Sequence, residues 1–164
     1  MTPEDAVAKW QAIYEQSLAM IDPTPDDYWQ SAGQLDSDDM PSWRTMCDLR
    51  TVHMGGGRQN YKNLWVREFM VANPKAIVVE CNAGLRDMTV DSWKGPGDGR
   101  LRMFTIMDIV SIFNHSYEDG KVFLGGASHV IFNDASHNVA LPSTQFSKAV
   151  NGLFAKETIV IRLG

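Results

Sequence analysis

Ala76-Ile77-Val78-Val79 is a continuous apolar run, closed by Asn73-Pro74 on one side and Asn82-Ala83-Gly84 on the other. Bounded in this way, it reads as a buried strand. Asn82-Ala83-Gly84 can turn the chain into a partner strand over 85–90, where Leu85, Met88 and Val90 supply the apolar positions. Three further short strand-like runs follow, near 121–125, 128–132 and 137–141, and Thr158 to Leu163 closes the chain as a strand. Residues 48–54 form another short strand.

Helical signals surround these strands. Thr2 caps a helix with Pro3 at its first position, and Glu4 and Asp5 sit at the positive end of its dipole. Trp10, Ile13, Tyr14, Leu18 and Ile21 recur at helical spacing, and the helix is expected to end near Asp22. Tyr61 to Ala72 reads as a second helix, capped by Asn60 and stopped by Asn73-Pro74. Residues 101–113 are ambiguous. Their β-branched content favours a strand, whereas polar residues at every third place and a capping-box pairing of Thr105 with Asp108 favour a helix from Thr105. Pro142-Ser143 opens a last helix to about Ala155. Strands outnumber long crossovers, so the expected fold is α+β: a largely antiparallel sheet with N-terminal, middle and near-C-terminal helices packed on it.

A chain of 164 residues with 44% hydrophobic content suits one domain, 1–164, with a core of its own. Residues 22–43, rich in Pro and Asp, read as a connecting segment, in which Tyr28 and Trp29 suggest a short packed helix from Pro25. The formal net charge of -5 argues against nucleic acid as a partner, because neutralising phosphates takes clustered Lys and Arg. No apolar run approaches the ~20 residues of a membrane span, and the acidic N-terminus lacks an apolar signal region. The cytoplasm is the expected location. Cys47 and Cys81 form neither a CxxC pair nor a disulfide framework.

The glycine run Gly55-Gly56-Gly57 is the local feature that folding alone explains least. It precedes a helix start, and backbone N–H groups there, with Arg58, Asn60 and Lys62 nearby, would suit a phosphate or carboxylate. The bland alternative is a flexible hinge. The chain has no GxGxxG and no Gly-Lys-Ser/Thr, so neither nucleotide fingerprint is present.

Other constellations carry less. His129 and His137 flank Asp134, but a four-residue turn between two strands would put the histidines on opposite faces. No metal site and no cofactor are expected. Cys81, at a strand end, could act as a nucleophile with His115, His129 or His137 as base and Asp134 or Asp108 orienting it. Ser128 and Ser136 beside histidines have no GxSxG elbow. Asp36, Asp38 and Asp39 lack the glycine and distal glutamate of a calcium loop. Glu80 and Asp87 could form an acid/base pair, although solvated edge charges are the simpler reading. The loop from Trp93 through Lys94, Asp98 and Arg100 is suited to recognition.

The leading functional expectation is a non-catalytic protein-interaction module: an inhibitor, an immunity-type partner or an assembly component, homo-oligomers included. Its partner surface would use Trp29, Trp43, Trp93, Lys94, Asp98 and Arg100. The alternatives are a small anionic-ligand-binding protein or enzyme using the glycine loop, and a Cys/His hydrolase centred on Cys81.

Overall fold

The computed structural model describes residues 1–21, 51–55, 61–133, 149–150, 152–155 and 157–164. The elements are α1 (Pro3–Leu18), β1 (Thr51–Met54), α2 (Lys62–Ala72), β2 (Ala76–Glu80), α3 (Ala83–Asp91), β3 (Met103–Thr105), α4 (Ile106–His115), α5 (Tyr117–Leu124), β4 (His129–Phe132) and β5 (Ile159–Leu163). Ala149, Val150, Gly152 and Leu153 are also helical. The strands make one sheet in the order β1-β5-β4-β2-β3, and all its pairings are parallel.

This overturns the antiparallel α+β expectation: the fold is α/β. The error lies at Asn82. Its side chain accepts from the Leu85 amide at 3.0 Å, capping α3 rather than turning a hairpin. Residues 85–90 are therefore helical, and so is most of 121–125, the end of α5. The β4 strand has β2 on one side and β5 on the other, which leaves no edge for a hairpin partner. The 137–141 segment itself lies outside the described residues, as do the segment 22–43 and the opening of the last helix.

Apolar residues cover both faces of the sheet, as buried parallel strands require. Alternate strand residues point to opposite sides. Val52, Met54, Ala76, Val78, Met103, Ile131, Ile161 and Leu163 pack with Trp10 and Tyr14 of α1 and with Trp65, Val66, Phe69 and Met70 of α2. Ile77, Val79, Val130, Phe132 and Val160 pack on the other side with α4, α5 and the helical residues near 150. Connections running β1 to β2 and β2 to β3 put α2 and α3 on the first face. The return from β3 through β4 to β5 uses the second, as right-handed crossovers dictate.

Several local expectations hold. Thr2 and Asp5 form a reciprocal capping box on α1, with bonds of 3.0 and 3.2 Å. Thr105 and Asp108 do the same for α4, which resolves 101–113 into the short strand β3 followed by a helix. Burial opposes ionisation of Asp108, but the amide and hydroxyl of Thr105 and the Arg86 guanidinium outweigh it and hold the carboxyl below its usual range. No helix among the described residues is long and apolar enough to cross a membrane.

Candidate functional site

A parallel sheet presents its ligands at the carboxyl ends of its strands, where the direction of winding reverses. From β2 the chain moves to β3 on one side, and from β4 to β5 on the other. The reversal therefore falls between β2 and β4, where Glu80 and Asn133 stand.

Glu80 is the last residue of β2 and is 1% exposed; Asn133 follows β4 and is 3% exposed. Asn133 Nδ2 donates to Glu80 Oε1 and Oε2 at 3.1 and 3.2 Å and to Asn63 Oδ1 at 3.1 Å. The Thr89 hydroxyl, on α3, lies 3.1 Å from Glu80 Oε1 and 2.9 Å from the Leu85 carbonyl. A crevice of about 180 Å³ opens above these groups, lined also by Arg67, Leu85, Met88 and Ser92. Glu80 is thus no solvated edge charge. Its expected acid partner, Asp87, is exposed on α3 and pairs instead with Arg86 at 3.0 Å.

Asn63 ties this crevice to α2. The β1 strand ends at Met54, Gly55 follows it, and α2 begins at Lys62. A Cβ on Gly55 would meet nothing within 4 Å, so packing does not account for glycine there. Tyr61, the residue before the helix, is left-handed at φ 59, and no side chain among the described residues caps α2. The expected cap Asn60, with Gly56, Gly57 and Arg58, lies outside the described residues.

A phosphate-binding loop joins a strand to a helix through GxxxxGK[ST], a pattern this sequence meets at two of four fixed positions. In that pattern the first glycine falls at Gly56 and the lysine at Lys62, while Tyr61 replaces the second glycine and Asn63 the hydroxyl residue. Tyr61 nevertheless adopts the left-handed conformation for which glycine is the usual choice.

Cys81 is not brought to His129. The register sets His129 level with Ala76, so Cys81 lies roughly 16 Å farther along the sheet. His129 is held by hydroxyls, with Nε2 3.0 Å from Tyr14 Oη and Nδ1 2.9 Å from Ser128 Oγ. Burial lowers its pKa and pushes that of Tyr14 up to about 12, with Glu15 adding to the latter. His115 is exposed at the end of α4, while His137 and Asp134 lie outside the described residues. Asp108, the alternative orienting acid, is bound to Arg86 at 2.8 Å.

The Trp93 loop is folded in rather than displayed. The indole packs against the core beside α2, Arg102 sits over its ring at 5.3 Å, and Cβ atoms at Gly95 and Gly99 would come within 2.2 and 2.9 Å of it. Gly95 and Gly99 thus make room for Trp93. Lys94, Asp98 and Arg100 are exposed. Trp29 and Trp43 lie outside the described residues. A larger cleft, of about 710 Å³, runs along the outer edge of β3, lined by Arg86, Asp87, Arg100, Asp108 and neighbouring apolar groups. The Arg86–Asp108 pair that it contains is already satisfied, and the cleft lies away from the winding reversal.

Among the described residues no group of three or more His, Cys, Asp or Glu could hold a metal ion. No family model, no curated protein and no solved structure matches this chain.

Proposed function

We propose that the protein binds a small phosphate-bearing ligand at the carboxyl edge of its sheet. The observation that supports this is α2, whose first turn reaches the crevice at the winding reversal through Asn63, the residue after Lys62. The positive end of the helix dipole favours an anion there, and Lys62 carries a full charge. The test is phosphorus NMR of inorganic phosphate, following line broadening as protein is added. Broadening with the native protein, with at least tenfold weaker binding in Lys62→Ala, is the expected result. Equal broadening with both would remove the site from α2.

A second reading, the interaction module, is favoured by one surface feature. On α5, Val122 and Phe123 are 82% and 52% exposed, and Met107 of α4 is 71% exposed. If these residues bind a second copy, Val122→Asp lowers the mass seen by sedimentation at high concentration. An unchanged mass would remove self-association through this patch.

A further inference from the structure

The orphan acceptor in the crevice narrows the ligand. Asn133 Oδ1 is buried and has no hydrogen-bond partner among the described residues. Leaving such a group unpaired costs about 1–3 kcal/mol. Reversing the amide would not relieve it, because the carbonyl oxygen would then face Glu80. The Nδ2 group has no proton to spare: one serves Asn63 and the other is shared between the Glu80 oxygens. The Thr89 hydroxyl proton is likewise committed, to Glu80 or to Leu85. Arg67 is the cation on the wall of the crevice; its floor offers a ligand acceptors, Asn133 Oδ1 and the Thr89 lone pairs, beside the buried Glu80 carboxyl.

We propose that this crevice is a second subsite that takes hydroxyl or amino groups, so that the ligand is a phosphate monoester of a hydroxylated skeleton, such as a sugar phosphate or nucleoside monophosphate. This rests on the phosphate reading for the anionic end. The two ends lie close together, since Asn63 belongs to the first turn of α2 and touches Asn133 at 3.1 Å. The volume of about 180 Å³ matches about six waters at ~30 Å³ each, room for a small hydroxylated fragment. A donor placed on Asn133 Oδ1 satisfies the orphan, and a ligand without one leaves it buried and unpaired.

The experiment compares ribose 5-phosphate with methyl phosphate on the native protein, by calorimetry or by competition in phosphorus NMR. Two gained hydrogen bonds near a charged group predict ribose 5-phosphate tighter by about tenfold to a hundredfold. Equal affinity for both overturns the second subsite and leaves the phosphate reading standing. Binding of neither overturns both. Asn133→Ala, checked for folding by circular dichroism, should bring the ratio near one. A ratio unchanged in a folded Asn133→Ala overturns the proposal. Thr89→Val gives a second, smaller reduction that does not depend on Asn133. Adenosine 5'-phosphate tighter than ribose 5-phosphate supports a nucleotide as the source; equal binding supports a sugar phosphate.

Discussion

Arg102→Met is expected to destabilise the protein by about 3 kcal/mol, through the far end of the helix that begins at the candidate site. Arg102 Nε lies 3.0 Å from the Ala76 carbonyl, and Nη2 lies 2.8, 2.8 and 2.9 Å from the carbonyls of Met70, Asn73 and Ala76. The Met70 carbonyl needs this donor most, because its helical partner would be residue 74, a proline with no N–H. Asn73 still accepts from the Ala76 amide at 2.9 Å, so its loss is partial. Hydrogen bonds to a charged group contribute about 1.5–3 kcal/mol each. Arg102 is half-buried, and ordering its side chain costs about 2 kcal/mol. Two carbonyls that lose their donor and one that loses a second donor, less that entropy and the relief of a partly desolvated cation, leave about 3 kcal/mol. Met keeps an apolar stem beside Trp93, so packing is largely preserved.

The assay is urea unfolding followed by far-ultraviolet circular dichroism, since Trp93 fluorescence reports on Arg102 directly. With a slope of about 2 kcal/mol/M, the midpoint should fall by about 1.5 M with the slope unchanged. Arg102→Lys should recover about 1 kcal/mol, because an ammonium cannot span three carbonyls at once. A loss below about 1 kcal/mol in Arg102→Met, at an unchanged slope, would refute the clamp.

Gly95→Ala places a Cβ 2.2 Å from Trp93 Cζ2 and should cost about 1–3 kcal/mol, with a red shift in tryptophan emission; an unshifted, equally stable variant contradicts the packing role of that glycine. Tyr61→Gly removes a left-handed backbone cost and should raise stability by up to about 1 kcal/mol without weakening phosphate binding, whereas a clear loss of stability would show that Tyr61 is not strained. Burial lowers the pKa of His129, and burial with Arg162 nearby lowers that of His53. The unfolded chain then binds more protons than the folded one below the ordinary value of 6.5, so stability falls as the pH drops from 6.5 through the folded values. His129→Gln should flatten that slope between pH 7 and 5, and an unchanged slope would place the titration elsewhere.

Much of this was legible in the sequence, and the parts that were not share a cause. The strands at 76–80, 129–132 and 159–163 are mostly apolar, each with one polar residue (Glu80, His129, Arg162), and the helices over 3–18 and 62–72 carry plain periodicity and boundaries. Parallel pairing was missed because Asn82-Ala83-Gly84 suits a turn and a helix cap equally. Only the Leu85 amide, in hydrogen bond with Asn82, tells them apart. Consecutive apolar residues in these strands, with no alternation of polar and apolar, were themselves a signal for a sheet covered on both faces. Glu80 and Asn133 are distant in sequence and meet only because β2 and β4 are neighbours, which no local pattern reports. Lys62 was visible from the start as part of an anion site, although the role of Tyr61 needed its backbone angle.

The most direct test of the ligand site is a nitrogen–proton correlation spectrum of the labelled protein, titrated with ribose 5-phosphate. The account predicts shifts at Lys62, Asn63, Glu80 and Asn133, absent in Lys62→Ala. Shifts confined to Arg86, Arg100 and Asp108 along the β3 edge, or none at all, would contradict it.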